Sequence, residues 1–339
     1  MTPSLPPDAP RSAADARQCG NVCLALLIVA LLASVYLVTY TGRFLITDEH
    51  TFVSTAASLA VSGRFSANQS FAHTQGLYEL EPLHVVIGSL AYRLAVLLGL
   101  GVVHTLMLIN VFTTALTAAV VFLLAGRLGF SRPLAVLGAL LFGLATIAWP
   151  YTQTFFRDVT ATLFLVLSVT ALEGALAESP ASGRQAGEGA ARRLALAALA
   201  ALFLVLGLVT KRTLVAALPG LAVYAALGLR AQNAPGRLRR RTALGGLAAL
   251  AGSGALLLLV VPSLRASLGR TAEIAATALA GIVGALAGQT AEHGQFWQGL
   301  LGIPLSPGKG VFIYSPVLLL ALPALAVARG PQRRAVLLA

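Results

Sequence analysis

Asp48 and Glu49 stand side by side in TGRFLITDEHTF, a stretch that follows directly on a long apolar run. Adjacent carboxylates where an apolar run ends make that membrane surface a place to look for chemistry. Asp48 also has a simpler use, because an aspartate at a helix start caps the helix and complements its dipole. A second set, His73, Glu79, Glu81 and His84, gathers two imidazoles and two carboxylates in a short segment. These donor types suit a divalent metal or a polar acceptor pocket, although their spacing matches no specific zinc signature. Arg157 and Asp158 adjoin in WPYTQTFFRD, among aromatics of the kind found at membrane interfaces. They read either as a head-group anchor with a helix cap or as part of a site. Lys211 and Arg212 occupy the short TKRT break and suit a phosphate or, equally, lipid head groups reached by snorkelling. Further along lie Glu273, Glu292, His293, Trp297 and LSPGKGVFIYSP. Its Gly-Lys-Gly is not a nucleotide-phosphate loop, for it lacks the upstream glycine spacing and the following Ser or Thr.

The elements that must position these residues are set by composition. Of 339 residues, 57% are hydrophobic and 11% charged, and the mean hydropathy is +0.83. A soluble domain carries about 25% charged residues, so lipid is the main solvent here. Apolar runs of roughly 20 residues predict spanning helices, the form that satisfies backbone polar groups inside a bilayer. Ten-residue alternation is missing, which argues against a transmembrane barrel. The net charge of +12 sits in the breaks between apolar runs, where it orients a membrane protein, and so does not point to nucleic acid. Cys19 and Cys23 are too few for a disulfide framework.

Crossings are expected at 22–40, 102–125, 134–150, 159–177, 194–210, 213–229, 243–262 and 311–328. The fold class is therefore all-α, a polytopic bundle of about eight spanning helices with interfacial helices beside them. Residues 1–20 form a Pro-rich tail expected to be disordered and cytoplasmic, and 21–339 the membrane domain. No small-residue cleavage site follows the first run, which reads as an anchor. Segment 83–99 is long enough to cross, but Arg93 would then lie near mid-bilayer at a cost of about 2.5–3.5 kcal/mol. If it stays interfacial, 15 of the 24 Lys and Arg residues share one side with the N-terminus, including five arginines in 230–241. That side is expected to be cytoplasmic. The loops 41–101 and 263–310, with the acidic residues above, then face outward. Within the first loop, 49–62 is predicted to be an amphipathic helix stopped by Gly63.

These segments together resemble the GT-C membrane glycosyltransferases. The similarity is to the family 39-like group of protein O-mannosyltransferases and aminoarabinose transferases. TDEHTF and AVSGRF are similar to the start of the family's first outer loop. Glu81-Pro82-Leu83 resembles its Lys-Pro-Pro-Leu region, but lacks the double proline and the basic residue. AGRLGFSRPLA, YTQTFFRDVTATLFLVLS, GLVTKRTLVAALPG and SPGKGVFIYSP follow in the family's order. The final RGPQRRAVLLA looks like the start of a further helix, so the chain is expected to continue.

The resemblance implies inverting transfer of a sugar from a polyprenyl-phosphate donor to a lipid or protein acceptor hydroxyl. The reaction would lie on the extracytoplasmic face of a multi-pass cell-membrane protein, in contact with membrane lipids. It implies Asp48 as catalytic base, Glu49 beside it and Asp158 as the second acid. Lys211, Arg212 and Arg157 would meet the donor phosphate. The candidate cofactor is a divalent metal, and no nucleotide site is needed. The rival readings are a transporter or lipid flippase, which would place ionisable groups at mid-membrane, and a non-catalytic membrane scaffold.

Overall fold

The computed structural model describes residues 9–45, 47–65, 82–177 and 186–231, together with Phe312, Ser315, Leu318 and Leu319. Among these residues the regular structure is helical throughout. Helix α1 covers Ala9–Val38, starting inside the segment expected to be a disordered tail. Then come α2 (Thr47–Ser62), α3 (Pro82–Leu98), α4 (Val102–Arg127), α5 (Arg132–Leu144) and the single turn α6 (Ala148–Tyr151). Helices α7 (Arg157–Ala177) and α8 (Ala186–Thr210) follow, then a 3-10 helix, Arg212–Ala217, which runs into α9 (Leu218–Ala231).

Among the described residues, five segments are long and apolar enough to cross a membrane: Gln18–Val38, Val102–Arg127, Arg157–Ala177, Gly189–Thr210 and Arg212–Leu229. Their outward faces carry large apolar side chains, Leu26, Leu31 and Phe112 among them, each more than half exposed. In water such surface would be a liability; against lipid chains it is the expected exterior. These features are those of a membrane protein.

The expected crossing at 134–150 takes another form. Helix α5 has 13 residues, roughly 20 Å at 1.5 Å per residue, short of a hydrocarbon core about 30 Å thick. The break has a local cause. Pro150 has no N–H to bond the Thr146 carbonyl, and its ring would clash there in a continuous helix. The Thr146 hydroxyl meanwhile donates to the Phe142 carbonyl (2.7 Å) and accepts from the Ala148 N–H (3.1 Å), replacing ladder bonds at the corner. The expected crossing at 243–262 lies outside the described residues, and the one at 311–328 is represented by four of its residues.

Side-chain bonds fix the direction of each helix. Arg132 Nε donates to Asn21 Oδ1 (3.0 Å) and the Tyr36 hydroxyl to the Gly143 carbonyl (2.9 Å), so α1 and α5 run parallel. The Tyr40 hydroxyl reaches the His104 carbonyl (2.7 Å), which starts α4 where α1 ends. Asn110 Nδ2 donates to the carbonyls of Thr154 (2.7 Å) and Phe156 (2.9 Å), and Arg127 to that of Thr170 (2.6 Å). Helix α7 therefore descends beside α4. Helix α8 returns, with Ser168 bonded to the Ala200 carbonyl (2.8 Å), and α9 descends with Tyr224 bonded to Glu173 (2.5 Å).

Helices α2 and α3 do not join this alternation. Glu49 and His84, near their starts, both meet Phe155, and further along Arg93 Nε donates to the Ala60 carbonyl (3.2 Å). Three residues after α3 ends, α4 begins at the same end of the bundle, so both ends of α3 stay there. Helix α2 ends as the periodicity predicts, at Gly63, whose φ of 69° favours glycine. Gly88 lets α3 approach closely: a Cβ there would stand 2.8 Å from the Phe155 ring and 3.1 Å from Ala56. Phe52, Ala56, Val85, Leu106, Met107 and Phe155 close over this contact as a buried apolar cluster.

Candidate functional site

Among the described residues, the end of the bundle where α1 finishes and α4 and α7 begin collects Asp48, Glu49, His84, Arg157, Asp158, Lys211 and Arg212. Glu49, in the first turn of α2, is fully buried. One carboxylate oxygen accepts the Leu45 N–H (2.6 Å), and the other accepts the Phe155 N–H (2.8 Å) from the turn preceding α7. The carboxylate thus fastens the start of α2 to a segment more than a hundred residues away. Bonds to a buried acceptor of this kind contribute about 1.5–3 kcal/mol each when the acceptor is charged.

Asp48 differs from its neighbour. It is half-buried and makes no hydrogen bond or ion pair among the described residues. It is the second residue of α2, inside the helix, and not a side-chain cap. Its charge still complements the helix dipole.

Asp158 stands in the first turn of α7, and its Oδ1 takes the ammonium of Lys211, which lies between α8 and the 3-10 helix. Both side chains are partly exposed, so this ion pair is reachable. Arg157 turns the other way and lays its guanidinium 4.8 Å from the centre of the Phe52 ring, a cation–π contact that ties α7 to α2. Arg212 follows Lys211 directly and is half-buried. The antiparallel α7–α8 pair carries the 157–158 and 211–212 dipeptides to one end.

His84 has a structural setting. Its ring is fully buried, stacked on Phe155 (centroids 4.3 Å apart) and edge-on to Phe52 (5.7 Å), with Nε2 3.3 Å from the Phe155 carbonyl. His73, Glu79 and Glu81, the other members of the sequence cluster, lie outside the described residues, as do Glu273, Glu292 and Lys309. Among the described residues no group of three His, Cys, Asp or Glu side chains could hold a metal ion.

Burial, reinforced by the nearby Arg157 charge, lowers the His84 pKa to about 4. The unfolded chain, with an ordinary imidazole at about 6.5, therefore binds this proton more readily than the folded one. Stability is complete above about pH 6.5 and falls as the pH drops toward 4, by roughly 3 kcal/mol in all. Thermal unfolding of the detergent-solubilised protein between pH 7 and 4 should show this loss. His84→Gln, which keeps a donor for the Phe155 carbonyl, should flatten the dependence; an unchanged slope would assign the acid sensitivity elsewhere.

Two hollows adjoin these residues. One, about 220 Å³, lies between α4, the α5–α6 corner and α7, and is lined by Thr114, Phe142, Thr146, Tyr151, Asp158 and Thr162 with their neighbours. The other, about 460 Å³ and more open, shares Thr146 and reaches Thr39, Trp149 and Gln153. Ser315, from SPGKGVFIYSP, accepts the Ile147 N–H (3.0 Å) at the wall of the first.

Sequence reasoning singled out the ionisable residues but missed Asn110 and the threonines. Asn110 was detectable: a fully buried amide within a spanning run is expensive unless it has a task. Here it holds the turn that carries Phe155. The threonines gave no such signal, since threonine commonly satisfies itself within its own helix. In comparisons with protein-family models, curated proteins and solved structures, nothing matches this chain.

Proposed function

We propose that the chain is a GT-C-like glycosyltransferase. It would move a sugar from a polyprenyl-phosphate donor to an acceptor hydroxyl at the extracytoplasmic surface of the membrane. The observation that carries this reading is Asp48, a half-buried carboxylate without a partner among the described residues. Its neighbour Glu49 is latched to the turn that leads into Asp158. The placement of Asp48, Asp158 and Lys211 at one end of apolar helices supports interfacial chemistry over passage through the membrane, which would call for ionisable groups at mid-depth.

In the proposed step, the acceptor oxygen attacks the anomeric carbon while its proton passes to the Asp48 carboxylate. The bond from that carbon to the phosphate oxygen breaks, and the electron pair leaves with the polyprenyl phosphate. The departing phosphate gains a negative charge, which Lys211 and Arg212 are positioned in sequence to stabilise. A base and preorganised cations are the two aids this displacement needs, and the activated donor supplies the rest.

The test is transfer of radiolabelled sugar from polyprenyl-phosphate sugars by the full chain in proteoliposomes. Labelled product in the acceptor fraction is expected; translocation of donor without transfer would replace the reading with a flippase. Changing Lys211 and Arg212 together to Gln should weaken donor binding about 10- to 100-fold, the worth of one or two lost charge-assisted bonds. Unaltered donor affinity at normal expression would return both residues to head-group anchoring.

A further inference from the structure

We infer that the hollow of about 220 Å³ between α4, the α5–α6 corner and α7 binds a neutral, polyhydroxylated ring. The argument is a count of hydrogens. The hydroxyl of Thr114 donates to the Asn110 carbonyl (2.7 Å), that of Thr146 to the Phe142 carbonyl (2.7 Å) and that of Thr162 to the Asp158 carbonyl (2.8 Å). Each threonine proton is thereby committed to its own helix, and each oxygen has only lone pairs left for the hollow, Thr146 having already spent one on the Ala148 N–H (3.1 Å). Asp158 adds a carboxylate whose Oδ1 already holds Lys211. Its Oδ2 makes no bond among the described residues. Among the described residues that line the hollow, Tyr151 keeps a hydroxyl proton to give, and burial beside Asp158 raises its pKa.

A wall that accepts far more than it donates selects its occupant. Phosphate or carboxylate would face oxygens with few donors between them, an arrangement that leaves buried acceptors unsatisfied. An ammonium group would add a second cation to a carboxylate that Lys211 has already neutralised. Hydroxyl groups carry the hydrogens the wall lacks and bring no charge, and Phe142 and Tyr151 supply aromatic walls for ring carbons. The volume is below the roughly 300–1,000 Å³ of sites for drug-sized ligands, which limits the occupant to about one ring. The assignment deepens the transferase reading, and rests on it only in identifying the bound ring with the sugar that is moved.

The experiment is saturation-transfer NMR on the full chain in nanodiscs. The probes are methyl α-D-glucopyranoside, methyl α-D-mannopyranoside and methyl α-D-galactopyranoside, with glucosamine and inorganic phosphate as charged counterparts. At least one methyl hexoside should bind, and neither charged probe should displace it. Thr114→Val and Thr162→Val keep side-chain shape and remove one acceptor each. Each should weaken hexoside binding about three- to tenfold, and Ser at either position should restore it. Binding unmoved by both valine variants, no hexoside binding, or preferential binding of glucosamine or phosphate would overturn the assignment. Hexoside binding with the expected variant effects, in a protein that transfers no sugar, would overturn the transferase reading and leave this site standing.

Discussion

Asp48→Asn is expected to lower the turnover of sugar transfer by roughly 10²–10⁴-fold, the usual contribution of a positioned general base, in a protein that folds as the parent does. Asparagine matches aspartate in size but does not accept a proton at neutral pH. Because Asp48 makes no hydrogen bond or ion pair among the described residues, the exchange disturbs little packing. If its one duty were to favour the start of α2, asparagine would serve almost as well. The measurement is kcat at saturating donor and acceptor, with the unfolding temperature taken on the same preparation. A stable variant with near-parental kcat would remove Asp48 from the chemistry and make Asp158 the next carboxylate to test.

Glu49→Gln is expected to fail differently, by loosening the structure. The parent carboxylate accepts two backbone N–H groups, from Leu45 and Phe155, with its two oxygens. Glutamine has one acceptor oxygen and one NH₂, so one of those donors must face another donor. A buried polar group left unsatisfied costs about 1–3 kcal/mol, and Glu49→Ala, which strands both donors, should cost more. Detergent-phase unfolding should show a clear drop for Gln and a larger one for Ala. Activity should fall with it, since α2 carries Asp48. A Glu49→Gln protein as stable as its parent would show that the start of α2 is held by other contacts.

These two residues illustrate what the amino-acid order could reveal. A pair of adjacent acids after an apolar run is visible at once, and so is the helix that follows, because Phe52, Ala56 and Gly63 mark its face and its end. Which acid braces the fold and which is left without a partner among the described residues is not visible, because the difference lies in Phe155, a residue of another loop. His84 is a similar case. By spacing it groups with Glu79 and Glu81, but the rings of Phe52 and Phe155, supplied by two other elements, enclose it.

The long helices were legible because lipid imposes a simple rule: about 20 apolar residues in a row. That rule ignores the backbone, and 134–150 shows what it leaves out. Hydropathy sees an apolar run there, whereas Pro150 and the Thr146 hydroxyl turn the chain. The meeting of Asp158 with Lys211 falls between these extremes. An antiparallel pair of helices places both residues at one end, which the crossings predict, but the contact itself depends on side-chain reach that no pattern encodes.

The latch from Glu49 to Phe155 also sets a timetable for the chain as it leaves the ribosome. Its two halves are separated by 106 positions. At about 5–20 residues per second, roughly 5–20 s pass between the appearance of the acid and of its distant partner. During that interval four more helices of the described residues, α3 to α6, are made. Until then the Glu49 carboxylate lacks the Phe155 N–H, and water can solvate it where lipid cannot. Asp48 therefore takes its final position only after most of the first half of the protein has been laid down, and a nascent chain stalled before Phe155 would hold the acidic pair without the turn that secures it.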